Sequence, residues 1–112
     1  MAYIKNIHHE QVLKLAEEVQ VQPGQIVSKT LAQNSALSMT LFAFSKGEEI
    51  GAHGSTGDTF VYVLEGTGKF TVGGVAHLVH AGEALAMPAN ITHAVYGEED
   101  FKWMLTVVFP QQ

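Results

Sequence analysis

Six histidines, at positions 8, 9, 53, 77, 80 and 93, are the side chains of this 112-residue sequence best suited to chemistry near neutral pH. A neutral imidazole offers one N–H donor and one lone pair, so it can bind small polar groups, move protons or ligate a metal. Other reactive groups are scarce. Cysteine is absent, which excludes disulfides, thiolate zinc sites and thiol nucleophiles. The six basic residues are all lysine, so a carboxylate or phosphate ligand has to be held by Lys, His, backbone N–H groups or a metal ion. No serine nucleophile elbow, phosphate-binding glycine loop or paired-carboxylate motif occurs.

Charge narrows the partners. Six lysines stand against eleven acidic residues, a formal charge of −5, and without arginine no basic patch for nucleic acid can be built. The longest apolar runs are strand-sized, which argues against a membrane partner, and Met1 to Glu10 is too polar for a signal peptide. A cytoplasmic location is the expectation. With 46% hydrophobic and 15% charged residues, the chain has the material for one folded domain.

The elements that must position the histidines follow from glycine placement and hydrophobic period. One glycine, Gly24, precedes position 47, and the other ten fall between Gly47 and Gly97, cutting that stretch into short segments. Val12, Leu15, Ala16 and Val19 recur at helical spacing, so residues 8–19 are expected to form a helix with Asn6 as its N-cap, ended by Pro23-Gly24. Strands are expected over 25–32, 36–45, 49–53, 59–65, 69–72, 75–79, 84–87, 92–96 and 102–109, with Gly73-Gly74 as a hairpin turn. Residues 59–65 are apolar at nearly every position and are expected to be buried on both faces. The reading is an all-β domain over 25–112, with residues 1–24 as a helical segment packing on it.

Two stretches carry a family resemblance. Gly47 to Gly66 contains His53, Ser55, Asp58 and Thr59, and Gly82 to Gly97 contains Pro88, Asn90 and His93. They resemble the two motifs of the cupin superfamily, written G-x5-H-x-H-x3-4-E-x6-G and G-x5-P-x-G-x2-H-x3-N. The intervals from Gly47 to His53, His53 to Gly66, Gly82 to Pro88 and Pro88 to His93 all agree. The resemblance implies a double-stranded β-helix, or jelly-roll, barrel. It also implies a metal centre of three His and one Glu, of which only His53 and His93 match residue for residue. Ser55 stands at the second His position and Thr59 at the Glu position.

A divalent transition metal (Zn, Fe, Mn or Ni) held by His53 and His93 would need a third ligand. Asp58 is the nearest carboxylate, but side chains alternate along a strand, which puts Asp58 with Phe60 and Tyr62 and opposite to Thr59, Val61 and Val63. A bulge beside Gly54 and Gly57 is what could turn it inward. Ser55, Thr59, Val61 and Met87 are the expected pocket residues, among apolar wall candidates that include Phe42, Phe44 and Trp103.

Two readings stay open. One is a barrel binding a small organic molecule through such a metal, the resemblance then allowing oxygenation, isomerisation or decarboxylation. The other is a non-catalytic small-molecule-binding module with a lost metal site. The resemblance also implies a homodimer, with the apolar segment Ala36 to Phe44 as a suitable surface.

Overall fold

The computed structural model describes Ala2–Gln111, and two antiparallel sheets make up its body. The strands are β1 (Ile26–Gln33), β2 (Leu37–Phe44), β3 (Glu49–His53), β4 (Asp58–Glu65), β5 (Thr67–Val72), β6 (Val75–His80), β7 (Ala84–Met87), β8 (His93–Gly97) and β9 (Phe101–Val108). One sheet has the order β1-β2-β9-β4-β7 and the other β3-β8-β5-β6. Consecutive strands therefore cross repeatedly between the sheets, and residues far apart in the chain become neighbours.

Alternation decides what faces the space between the sheets. Along β4, Thr59, Val61 and Val63 are buried while Asp58, Phe60 and Tyr62 are exposed. This corrects the expectation of a strand covered on both sides: Phe60 and Tyr62 lie on an open outer face. The inward residues meet Phe44, Phe70, Val79, Met87, Val95, Phe101 and Trp103 in one apolar core. Positive φ at Gly73 and Gly74 makes the tight β5–β6 turn that only glycine enters freely.

The expected helix over residues 8–19 does not form. Among the described residues the only helical element is a single 3-10 turn, Leu15–Glu18. Val12, which would have extended its apolar stripe, is fully exposed. Asn6 is not an N-cap: its backbone is left-handed and its side-chain amide donates to the Thr30 carbonyl at 2.6 Å, beside Lys5 N–H donating to Leu31 O at 2.7 Å. A stretch of about twelve residues is a marginal helix on its own. Here its apolar residues are used singly: Ile7, Leu15, Val19 and Val21 pack on Leu31, Leu41 and Ala43, on the outside of the five-stranded sheet.

Lys102 Nζ ties this segment down by donating to the Ala16 carbonyl at 2.6 Å, and Lys29 Nζ reaches Glu18 at 3.0 Å. The segment thus covers the outer side of β2. Leu41 and Ala43 are fully buried under it, whereas Ala36 is exposed and Leu37 to Thr40 are partly so. No helix among the described residues is long and apolar enough to cross a membrane.

Candidate functional site

β3 and β8 are hydrogen-bonded neighbours, and their register sets His53 directly opposite His93. Directly opposed residues project on the same side of a sheet, so residues forty positions apart in the chain end with their imidazoles side by side. The ring centroids are 4.4 Å apart at an interplanar angle of 67°. A register shift between Ile50 and His53 lets both of these residues line the same cavity despite their odd spacing. His93 is buried and His53 is exposed, so one ring belongs to the wall and the other to the mouth.

Backbone carbonyls fix the proton positions. His53 Nδ1 lies 2.9 Å from Gly51 O, and His93 Nδ1 lies 3.3 Å from Ile91 O. A carbonyl oxygen only accepts, so each Nδ1 carries the hydrogen and each neutral ring keeps its lone pair on Nε2. Burial first, and the adjacent His53 ring second, hold the His93 imidazole below the usual histidine range, with the Ile91 hydrogen bond opposing them.

Behind the rings lies a cavity of about 40 Å³, lined by Ile50, His53, Phe70, Met87, His93, Val95, Trp103 and Leu105. That is room for roughly two or three water-sized groups. Its wall is hydrocarbon apart from the imidazoles and the indole of Trp103, whose Nε1 is buried with no hydrogen-bond partner. At the lip, Gly54, Ser55, Thr56, Asn90 and Thr92 line an open cleft of hydroxyl and amide groups.

The other expected site residues are placed as follows. Met87 lines the cavity. Thr59 and Val61 are buried on the inward face of β4 without lining it. Ser55 is at the lip cleft, where its hydroxyl accepts from Gly57 N–H at 3.1 Å. Asp58 is on the outer face, its carboxylate accepting from Ala89 N–H at 2.8 Å. His77 and His80 are exposed on β6, and His80 Nδ1 lies 3.0 Å from the Thr67 hydroxyl.

Sequence reasoning grouped Trp103 with the undivided apolar candidates and passed over Ile50, Phe70, Val95 and Leu105. Three of these were within reach of the period-two rule. Val95 follows His93 by two, Leu105 follows Trp103 by two, and Phe70 pairs with Val95 across β5 and β8. Ile50 was not, because only the register shift brings it round.

Two imidazoles on one ion, with nitrogen–metal distances near 2.0–2.1 Å, bring their ring centroids to about 4.5–5 Å, close to the separation seen. The pair alone would therefore suit two adjacent coordination positions. The rest of the set is lacking: among the described residues no group of three or more His, Asp or Glu side chains is placed to hold an ion. Asp58 is engaged elsewhere, and Ser55 and Thr59 are neutral hydroxyls. The residues present do not fit a resident metal ion.

A family profile for the cupin domain matches residues 40–109, which contain seven of the nine strands whole, most of β2 and both His53 and His93. The chain belongs to the cupin family. Among solved structures, a conserved Streptococcus pyogenes protein of unknown function is 42% identical over all of this chain and 98% of its own, with a TM-score of 0.97. A cupin superfamily protein from Desulfitobacterium hafniense is 28% identical over 97% of this cupin and all of that chain, with a TM-score of 0.92. A curated relative, the dimethylsulfoniopropionate lyase DddW of Ruegeria pomeroyi, is 30% identical over 79 residues, which are 70% of this cupin and 52% of that protein. This chain thus matches about half the length of that relative.

Proposed function

We propose that this cupin binds a small organic molecule at the His53–His93 pair, with His53 meeting it at the mouth and His93 in the wall. The observation that carries the reading is the pair of free Nε2 lone pairs on rings 4.4 Å apart, each ring held by a backbone carbonyl at its other nitrogen. A cavity lined mostly by hydrocarbon with a few converging polar atoms is the usual form of a small-molecule site. The lip cleft, with Ser55, Thr56, Asn90 and Thr92, gives the part of the ligand outside the cavity its polar contacts.

Binding without a resident metal is the form the donor set supports, and no reaction step is assigned. The lining holds no carboxylate, lysine or hydroxyl that would act as nucleophile or general acid beside the imidazoles. The lyase activity of the curated relative does not transfer readily either. Its substrate carries a sulfonium and a carboxylate, and this cavity offers a countercharge to neither.

The test is a small-molecule screen read at the imidazole resonances of untagged protein, beside a His53→Ala, His93→Ala double variant. Compounds that bind should move the His53 and His93 signals and lose at least tenfold in affinity to the double variant. Elemental analysis of the same samples should find far less than one divalent metal per chain. Binders that leave both rings unmoved, or stoichiometric metal that vanishes in the double variant, would overturn the reading.

A further inference from the structure

The outer side of the five-stranded sheet carries an apolar surface that the chain covers only in part. Across β2, β9, β4 and β7 the register sets Met39, Thr106, Phe60 and Ala86 in one outward row. Leu41, Met104, Tyr62 and Ala84 form the next row, and Leu37 pairs with Val108 on the far side of the first. The N-terminal segment shields the β2 side, where Leu41 is fully buried and Met39 and Met104 pack against the same cluster. Toward β4 and β7 the rows are bare among the described residues. Phe60 is 49% exposed, Tyr62 37% and Val108 55%, and Ala84 and Ala86 are exposed beside them.

The other sheet shows how this chain builds an outer face for water. One of its rows is Glu49, Tyr96, Lys69 and Leu78, and Thr67 stands opposite His80 in the next. The Tyr96 ring has cover from the chain itself, with Lys69 Nζ 5.2 Å from its centroid. Charged and polar groups break up the apolar area there, as is usual where an antiparallel sheet is solvated. The three rows on the five-stranded sheet hold one charged side chain, Asp58, at a corner, where its carboxylate accepts from Ala89 N–H at 2.8 Å.

Charge and size name the occupant. The chain carries −5, so two copies repel over most of their surface and meet at least cost where a face is neutral. A partner chosen by charge gains nothing from this face, and an anionic bilayer repels the chain. A second copy brings a neutral apolar face of equal extent. The bare area is roughly 500 Å² per copy, counting an aromatic side chain as about 150–250 Å². Closed on its equal it buries about 1,000 Å² in all, the lower limit of a specific interface.

We infer that this face joins two copies of the chain about a two-fold axis, with β4 and β9 of one copy stacked on β4 and β9 of the other. Phe60 and Tyr62 are its central anchors, and Leu37 and Met39 of the Ala36 to Phe44 segment lie at its margin. Such a contact uses the same patch on both copies, so assembly stops at two. So small an area makes the pair reversible, with a dissociation constant of about 10–100 µM.

The test is sedimentation equilibrium of the untagged full chain from about 1 to 500 µM, a range that brackets that constant. The mass should rise from that of one chain toward that of two and level off there, and added salt should not weaken the pair. Phe60→Glu should weaken pairing at least tenfold. Leu78→Glu, which adds the same charge at a 57% exposed position on the other sheet, should change it less than about threefold. Should Phe60→Glu not fold, Phe60→Thr takes its place, and the wild-type series still decides whether a pair forms.

A chain that stays single at the highest concentration overturns the inference, and its co-sedimentation with phosphatidylcholine vesicles would show a bilayer as the occupant instead. Pairing that Phe60→Glu and Leu78→Glu weaken equally also overturns it, because net charge rather than this face would then be the cause. So does a mass that climbs past two chains, since that requires a contact that does not close.

Discussion

Replacing Gly68 with alanine probes how tightly the aromatic core holds the cavity wall. Gly68 lies in β5 between Val79 on β6 and Gly97 on β8, facing inward. A Cβ there would sit 2.4 Å from Cε2 and 2.7 Å from Cζ of Phe101, and 2.9 Å from Cε1 of Phe70. Carbon atoms pack at about 3.5–4.0 Å, so the Phe101 ring has to retreat by about 1 Å or more. Its retreat is blocked, because Trp103 lies parallel to it and is itself stacked on Phe42. Backbone strain is not the objection at this position; the conflict lies wholly between side chains.

Forcing one methyl group into a packed core costs about 1–3 kcal/mol, and the loss of glycine's unfolded-state freedom returns about 0.4–1 kcal/mol. The expected net loss is about 1–2 kcal/mol, a fall in melting temperature of roughly 4–8 °C for a domain of this size. Chemical denaturation followed by Trp103 emission measures both the loss and any change around the indole in the native baseline. Gly51→Ala is the control, since a Cβ there meets nothing within 4 Å; its stability should change by less than about 0.5 kcal/mol. A Gly68→Ala protein as stable as the control, with native Trp103 emission unchanged, would refute the claim that the indole is wedged in place.

Two further outcomes are expected. His93 has a depressed folded-state affinity for protons, so the unfolded chain binds the proton more readily; its contribution to stability is complete above about pH 6.5 and is lost as pH falls below that, with a slope of at most about 1.4 kcal/mol per unit. Denaturation midpoints at pH 7.5 and 5.5 should therefore differ more in the wild type than in His93→Gln, and equal differences would contradict the assignment. Asp58→Ala removes one exposed hydrogen bond to Ala89 N–H, should cost no more than about 1.5 kcal/mol, and should leave the affinity of compounds that bind at the His53–His93 pair unchanged; a tenfold loss would place the carboxylate in the site after all.

What could be read from the residues alone was what local rules control. The bounds of β3 and β7 match the expected segments, and the remaining strands differ by a residue or two at their ends. Glycine punctuation and strand period act over a few residues, so one sequence suffices to show them. The N-terminal segment failed the same treatment, because Val12, Leu15, Ala16 and Val19 have helical spacing but Leu15 and Val19 are spent on a sheet surface that spacing cannot reveal. Phe60 and Tyr62 failed for a related reason: an apolar residue on a strand does not say whether anything covers it. At the site, the histidine pair was legible from motif intervals. The orphaned Trp103 N–H was not, since its lack of a partner depends on four aromatic rings arriving from two other strands and its own.

The neutral character of the cavity is a consequence of register rather than of a pliable loop. No bulge turns Asp58 inward, since it pairs in register with Val108 as Val61 does with Leu105. With that pairing unbroken, Asp58 would face inward only if β4 shifted by one residue against β9. That slip would turn Val61 and Val63 out to solvent and drive Phe60 and Tyr62 into a core already filled by Phe70, Phe101 and Trp103. Each fully buried valine contributes about 1.5–3 kcal/mol, so exposing the two would cost more than a single carboxylate–metal contact recovers at a site with so few other donors. The alternation that builds the core thereby keeps the one nearby carboxylate outside. Among the residues that line the cavity, the two imidazoles and the indole are then the only polar side chains, and none of the lining residues is a carboxylate or a lysine.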